Sequence, residues 1–271
     1  VSAGVPTVWL ALLNYLEKTG KTVESLNRLT VGGAACPYTI FDDFRRKHGV
    51  DVQQGWGMTE MNPLGTFNGN VAPAVAELPP EQYDKMRLKQ GRPVFGVEMK
   101  IVDAENKELP WDGESAGAVK VRGPWIIAEY YRYDGQTLDA DGWFETGDVA
   151  SIDEYGYMKI TDRVKDVIKS GGEWISSIEL ENCAVNHPKV AEAAVVGMPH
   201  PTWSERPLLL VILQDGESLS REEMLAWFDG KVAKWWIPED CLFVESLPHT
   251  ATGKLSKKDI RETYKDYQWP A

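Results

Sequence analysis

Residues Leu29 to Gly57 read LTVGGAACPYTIFDDFRRKHGVDVQQGWG, and the punctuation of this stretch decides the fold class. Leu29-Thr30-Val31 is a short apolar run that stops at Gly32-Gly33-Ala34-Ala35. Tyr38 to His48 carries a helical pattern, with Gly49 as its C-terminal signal. Val50 to Gln54 is another short strand, ending at Gly55. Strand, turn, helix and strand in that order predict a βαβ unit with a parallel sheet. Binding turns in such sheets sit at the carboxyl ends of the strands. Gly32-Gly33-Ala34 and Gly55-Trp56-Gly57 both fall there.

Upstream, Val5, Val8, Trp9, Leu12, Leu13 and Leu16 recur at helical spacing until Gly20. Downstream, residues 71–90 are Pro- and charge-rich and read as a loop. From Gly91 the pattern changes to period 2, in Val97–Ile101, Ala118–Val121 and Tyr157–Ile160, as in an antiparallel subdomain. From about Asp162 it becomes a compact mixed unit of helices and strands. Ser176 with Glu179 has capping-box spacing, and that helix ends before His187-Pro188. Val195-Val196 and Leu208–Leu213 are buried-strand candidates. Ser220 with Glu223 opens a helix predicted to run to about Trp236, and Ser256 with Asp259 opens a final one. The domain boundary is placed near 162–165. No internal repeat or low-complexity tract interrupts the chain.

The chain has 271 residues, room for one large domain or two modest ones. Its 43 % hydrophobic content excludes disorder for the chain as a whole. No apolar run is long enough for a membrane span. The start, Val1-Ser2-Ala3-Gly4-Val5-Pro6, has neither a basic region nor a cleavage site, so no signal peptide is expected. It also lacks an initiator Met, which suggests a start part-way along the gene. A net charge of −12 argues against non-specific nucleic-acid binding, which needs cations to neutralise phosphates. Cys36, Cys183 and Cys241 form no CxxC pair, and the four His have no metal-ligand spacing. A reduced, cytoplasmic protein is expected.

Four segments could carry chemistry. In Gln54-Gly55-Trp56-Gly57-Met58-Thr59-Glu60 the glycines let backbone amides approach a ligand closely. Trp56 offers a flat face for a purine, the Thr59 hydroxyl can contact phosphate or metal, and Glu60 supplies a hard oxygen suited to Mg²⁺. The same residues also fit a Gly-rich turn with a core Trp and a surface Glu. Thr146-Gly147-Asp148 puts a carboxylate at a strand-edge turn, where it could accept ribose hydroxyls or close an Asx turn. Asp162 to Trp174, DRVKDVIKSGGEW, is a charge run leading into a Gly-Gly loop, which also fits a solvated surface. His249-Thr250-Ala251-Thr252-Gly253-Lys254 puts a Lys on a small-residue loop before a helix, either reaching an anion or only starting that helix. Met58, Met61, Leu64 and Phe67 fit an acyl pocket or plain core equally well.

Taken in order, GGA, GWGMTE, TGD, DRVKDVIKSGGEWISSIELE and PHTATGKLSKK resemble the adenylate-forming superfamily of acyl-CoA synthetases, adenylation domains and luciferases. The resemblance runs from Val1 to about Lys265, and SGGEWISSIELEN looks most like the medium- and long-chain fatty acyl-CoA ligase branch. It implies an α/β fold. Residues 1–162 would be the remainder of a large N-terminal domain, a parallel-sheet part plus an antiparallel β subdomain. Residues 163–271 would be a small α+β C-terminal lid hinged near Lys165.

The resemblance also implies two half-reactions. A carboxylic acid attacks the α-phosphate of ATP to give an acyl-adenylate and pyrophosphate. The thiol of coenzyme A then takes the acyl group and releases AMP. Lys254 would bridge the carboxylate and the α-phosphate, Thr59 would contact phosphate, and Glu60 would hold Mg²⁺. Gly33, Ala34, Gln54, Gly55, Trp56 and Gly57 would enclose the adenine, with Trp56 where most relatives carry Tyr. Asp148 and Arg163 would hold the ribose. Lys165, Lys169 and Trp174 are grouped with the nucleotide-binding residues, and Ser170, Gly171, Gly172 and Glu173 line the path of coenzyme A. A homodimer is compatible with the resemblance.

One family device, a Ser/Thr/Gly-rich phosphate loop ending in Pro-Lys, is absent from the sequence, and no GxxxxGK[ST] loop replaces it. The resemblance therefore begins part-way through the large domain, and 271 residues alone are expected to be inactive or nearly so. The alternatives are an adenylation domain that loads a carrier protein, and a non-catalytic nucleotide- or CoA-binding fragment.

Overall fold

The computed structural model describes residues 1–34, 36–249 and 255–270. The chain divides into two compact units, Val1–Ile160 and Thr161–Ala271.

The first unit opens with β1 (Ser2–Gly4), α1 (Pro6–Thr19), β2 (Arg28–Val31), α2 (Tyr38–His48) and β3 (Asp51–Trp56). The βαβ expectation holds: β1, β2 and β3 are parallel neighbours, with Leu29 opposite Val52. Gly20 and Gly49 end the two helices in the left-handed region, at φ 64° and 66°. Trp9 and Leu13 of α1 share a core with Ile40, Phe41 and Phe44 of α2 and with Leu29, Val31 and Val52 of the sheet. Trp9 meets Phe44 edge-on at 6.1 Å. Only part of the predicted apolar stripe is buried, since Val5 and Val8 face outward.

β4 (Thr66–Asn68), α3 (Pro73–Ala76), α4 (Pro80–Arg87) and β5 (Arg92–Pro93) follow. The sheet order is β1-β2-β3-β4-β5, with β4 and β5 antiparallel to their neighbours. Residues 71–90 are therefore not a plain loop. Their prolines sit at helix starts, where a fixed φ helps and the missing N–H is not needed. The buried Arg87 ties α4 down, donating to Asp51 Oδ1 and Val52 O at 2.7 and 2.8 Å.

A second sheet has the order β6 (Glu98–Val102), β7 (Ala116–Arg122), β8 (Phe144–Ile152) and β9 (Met158–Arg163). Thr146-Gly147-Asp148 is not a strand-edge turn but lies inside β8. Lys120 pairs with Glu145 and Ala118 with Val149, so these three residues oppose Val119 alone. The result is a β-bulge that needs φ 74° at Gly147.

The second unit contains β10 (Ile168–Ser170), β11 (Glu173–Ile175), α5 (Ser177–Val185), β12 (Val190–His200), β13 (Ser204–Leu213), α6 (Arg221–Ala226), β14 (Asp240–Phe243) and α7 (Lys257–Thr263). Its sheet runs β11-β10-β13-β12, with β14 parallel to β13. Both faces are covered. Val195, Leu209 and Val211 pack with Leu180, Met224 and Phe228, while Ala194, Val196, Leu208 and Leu210 pack with Ile260. This explains the unbroken apolar run in β13.

One helix expectation is corrected in length, and the final helix opens after Ser256 as expected but without a side-chain cap. α6 has a full Ser220–Glu223 capping box but stops at Ala226, followed by turns with Gly230 at φ 70° and a 3-10 turn at Lys234–Trp236. At α7 the Ser256 hydroxyl donates to Asp259 Oδ2 at 2.6 Å and caps no backbone N–H. Among the described residues no helix is long and apolar enough to cross a membrane.

Candidate functional site

In the first unit the glycine turn after β2 lies beside the end of β3, which runs through Gly55 and Trp56 instead of turning at Gly55. A Cβ on Gly32 would sit 3.4 Å from Gly55 O. Gly33 holds φ 78°, and Gly33 and Ala34 are exposed. Gly57 is constrained by close packing: a Cβ there would fall 2.0 Å from Pro63 O and 2.9 Å from Gly65 N, both backbone atoms.

Trp56 and Asp148, 92 residues apart in sequence, meet directly: indole Nε1 donates to Asp148 Oδ2 at 2.9 Å. The bulge in β8 presents this carboxylate, and Asp148 N takes the Thr146 hydroxyl as acceptor at 3.2 Å. Trp56 is 8 % exposed and packs with Met61, Val97 and Val121, so much of its flat face is covered by core. Met61 is fully buried in the same cluster. Gln54 is also interior. Its amide nitrogen donates to Arg87 O at 3.3 Å, and its oxygen accepts from Cys36 N at 3.4 Å.

Thr59 and Glu60 lie on a 3-10 turn, Thr59–Met61. Thr59 is exposed, and the half-buried Glu60 accepts the Tyr130 hydroxyl at Oε1, 2.7 Å away. That hydrogen bond raises the Tyr130 pKa above its ordinary value. Burial pushes the Cys36 thiol, next to the first glycine turn, up to about 12, which removes it as a nucleophile.

In the second unit β10 and β11 form a hairpin with Gly171-Gly172 at its tip, at φ 59° and 89°. Two positive φ values are what a two-residue type I′ turn demands. Lys169 is paired with Trp174 across the hairpin, its Nζ 5.9 Å from the ring centroid. Gly171, Gly172 and Glu173 are exposed, whereas Ser170 is fully buried and accepts from Arg206 Nη1 at 3.3 Å. The Ser170 hydroxyl thus belongs to the hairpin's framework. Arg163 and Lys165 are exposed. Lys254 lies outside the described residues.

A buried polar cluster adjoins Arg163. Asp162 Oδ1 accepts Arg163 N at 2.7 Å, and Oδ2 accepts both Ser177 N and Ser177 Oγ at 2.6 Å. Lys257 pairs with Glu181 at 2.8 Å. Burial raises the pKa of both Asp162 and Glu181, with Lys257 opposing the rise.

Sequence reasoning missed Tyr130 and Arg206. Their partners lie 70 and 36 residues away, beyond any local pattern. The aromatic run Tyr130-Tyr131-Arg132-Tyr133 is the one signal that could have drawn attention to the first.

Among the described residues no group of three or more His, Cys, Asp or Glu side chains could hold a metal. A single carboxylate such as Glu60 still suits Mg²⁺, which takes one or two carboxylates plus substrate phosphates.

Comparison with known proteins covers nearly all of the chain. The AMP-binding enzyme family matches residues 1–131, and the AMP-binding enzyme C-terminal domain matches residues 179–254. A 3-methylmercaptopropionyl-CoA ligase of Ruegeria pomeroyi is 53 % identical over 98 % of this chain and 49 % of its own length. A medium-chain-fatty-acid–CoA ligase of Ectopseudomonas oleovorans is 46 % identical over 98 % of this chain and 48 % of its own. The ATP-bound structure of MatB from Rhodopseudomonas palustris is 30 % identical with a TM-score of 0.77, covering 97 % of this chain and 50 % of that one. The chain thus spans about half the length of the curated relatives it matches.

Proposed function

We propose, because the chain belongs to the AMP-binding enzyme family, that a protein of the relatives' full length carrying this sequence is an AMP-forming acyl-CoA ligase. It joins a carboxylic acid to ATP, releasing pyrophosphate, and then transfers the acyl group from the adenylate to coenzyme A, releasing AMP. The substrate proposed is an aliphatic acid of the fatty-acid class, supported by the 46 % identity to a medium-chain-fatty-acid–CoA ligase. The observation that carries the reading is the hydrogen bond between Trp56 and Asp148, which brings the GWGMTE and TGD segments to one place.

Adenylation draws two anions together, so the site must supply fixed N–H dipoles and positive charge. The Gly33-Ala34 turn and the Gly55-Trp56-Gly57 end of β3 supply backbone close to the adenine. Asp148 and Arg163 are the residues proposed to hold the ribose hydroxyls. Thr59 donates to phosphate. Glu60 is the carboxylate that would hold Mg²⁺, and the ion, when bound, would offset phosphate charge. Lys254, a compact charge on a flexible stem, bridges the carboxylate and α-phosphate. Backbone rotation at Lys165 would then exchange the Lys254 loop for the Lys169–Trp174 hairpin, whose exposed glycines admit the narrow arm of coenzyme A.

The test is Lys254→Ala in the full-length protein. Pyrophosphate exchange should collapse while CoA thioester formation from a supplied acyl-adenylate continues. Equal loss of both steps would sink the separation of roles, and transfer only to a carrier protein would sink the ligase reading.

A further inference from the structure

We infer that Tyr130 is a positioning residue for the Glu60 carboxylate, delivered by a strap over Trp125–Tyr133. The inference rests on the proposed role of Glu60. Three hydrogen bonds clip the strap to the 3-10 turn that carries Glu60. Ile127 N donates to Glu60 O at 2.8 Å, Tyr130 Oη donates to Glu60 Oε1 at 2.7 Å, and Asn62 Nδ2 donates to Trp125 O at 2.7 Å. The same strap therefore holds both the backbone and the side chain of Glu60.

Its other end is fixed in the core. Trp125, Ile126 and Ile127 pack against the cluster that contains Trp56 and Met61. A Cβ on Gly96 would fall 2.8 Å from the Trp125 ring, so the indole lies close against that backbone. Tyr130 is further braced by an edge-on contact with Tyr133 at 5.9 Å, across Arg132 in the left-handed region at φ 54°.

The chemistry of the donor matters. A loose Glu spreads over several rotamers, and ordering it on binding costs entropy. A phenol on one oxygen selects an orientation in advance. Unlike Lys or Arg, it adds no positive charge to compete with a cation, and the carboxylate keeps lone pairs for further partners. Outer hydrogen bonds of this kind tune metal ligands in general.

The experiment compares wild type, Y130F and E60Q in the full-length protein. Mn²⁺ binding with a non-hydrolysable ATP analogue is followed by electron paramagnetic resonance, alongside the Mg²⁺ dependence of adenylation and the melting temperature. Y130F should bind Mn²⁺ about tenfold more weakly and need correspondingly more Mg²⁺, with an unchanged melting temperature and maximal rate. Wild-type Mn²⁺ affinity in Y130F, with E60Q impaired, overturns the inference and leaves the Glu60 reading standing. Wild-type affinity in both variants overturns both. A lowered melting temperature with unchanged metal affinity marks a structural hydroxyl and also overturns the inference.

Discussion

Trp56 Nε1 donates to Asp148 Oδ2 at 2.9 Å, joining the end of β3 to the bulge in β8 across 92 residues. Asp148 is 3 % exposed, so the indole N–H is part of what makes the buried carboxylate tolerable. Trp56→Phe keeps a ring but removes the donor. It should cost about 1–3 kcal/mol of stability and raise the KM for ATP in the full-length protein. Denaturant unfolding and pyrophosphate-exchange kinetics check the two effects. Trp56→Phe with unchanged stability would mean the contact contributes little.

The two glycines flanking Trp56 should respond differently. A Cβ at Gly57 meets backbone at 2.0 Å and cannot be accommodated by rotating a side chain. At Gly55 the first obstacle is Leu64 Cδ1 at 3.3 Å, the end of a flexible side chain. Gly57→Ala should therefore destabilise by about 3 kcal/mol or more, the upper end for overpacking, and Gly55→Ala by about 1 kcal/mol. Thermal unfolding of the two variants side by side decides it, and equal melting temperatures would contradict the packing argument.

The difference between Gly55 and Gly57 also shows what the sequence does and does not reveal. Local signals marked the βαβ unit and the period-2 strands, because each follows from spacing, whereas Gly171-Gly172 reads only as a loop and its hairpin emerges with the β10–β11 pairing. Proline misled at residues 71–90, where it starts helices instead of preventing them. The Thr146-Gly147-Asp148 segment looked like a turn because a bulge uses the same residues as one, and only the register with β7 separates them. The helix from Arg221 was drawn too long because its apolar residues continue past Ala226 in irregular turns. For Trp56 the sequence leaves a purine-facing ring and a core ring equally open, because its burial depends on strands from Val97 onward that no local window contains. Contacts such as Tyr130 to Glu60 depend wholly on tertiary structure and left no periodic trace.

The Asp162–Ser177–Lys257–Glu181 cluster should give the second unit a pH signature. Both carboxylates have raised pKa values because burial disfavours their charged forms. A group raised in the folded state stabilises below its unfolded pKa, and that contribution is lost as pH rises through the folded value. Lys257 offsets the loss by pairing with Glu181 and donating to Ser177 Oγ at 2.5 Å. Lys257→Met should thus cost about 3–5 kcal/mol near pH 8, the usual penalty for unpairing a buried charge. The deficit should shrink as pH falls toward 5, when the carboxylates take up protons. Urea midpoints of wild type and variant across that range are the measurement. A constant deficit would show that lost packing, not charge, dominates.

Arg206 offers the sharpest test of the hairpin's support. It is 5 % exposed and spreads its guanidinium over four acceptors. Nε donates to Glu239 Oε2 at 2.9 Å, Nη1 to Trp235 O at 2.9 Å and Ser170 Oγ at 3.3 Å, and Nη2 to Ile237 O at 3.1 Å. Its plane also lies 4.6 Å from the Trp235 ring centroid, and Trp235 stands edge-on to Trp203 at 4.7 Å. Gly171 packs on this pair, with Gly171 N donating to Trp203 O at 3.0 Å. Lys keeps the charge but not the planar fork, so Arg206→Lys leaves acceptors unmatched at about 1–3 kcal/mol in total. The hairpin tip should loosen as a result. Hydrogen exchange at Lys169–Trp174 should accelerate, and thioester formation from a supplied acyl-adenylate should fall more than pyrophosphate exchange. Equal decline of the two half-reactions would make Arg206 a general stabiliser of its unit, with no selective hold on the hairpin.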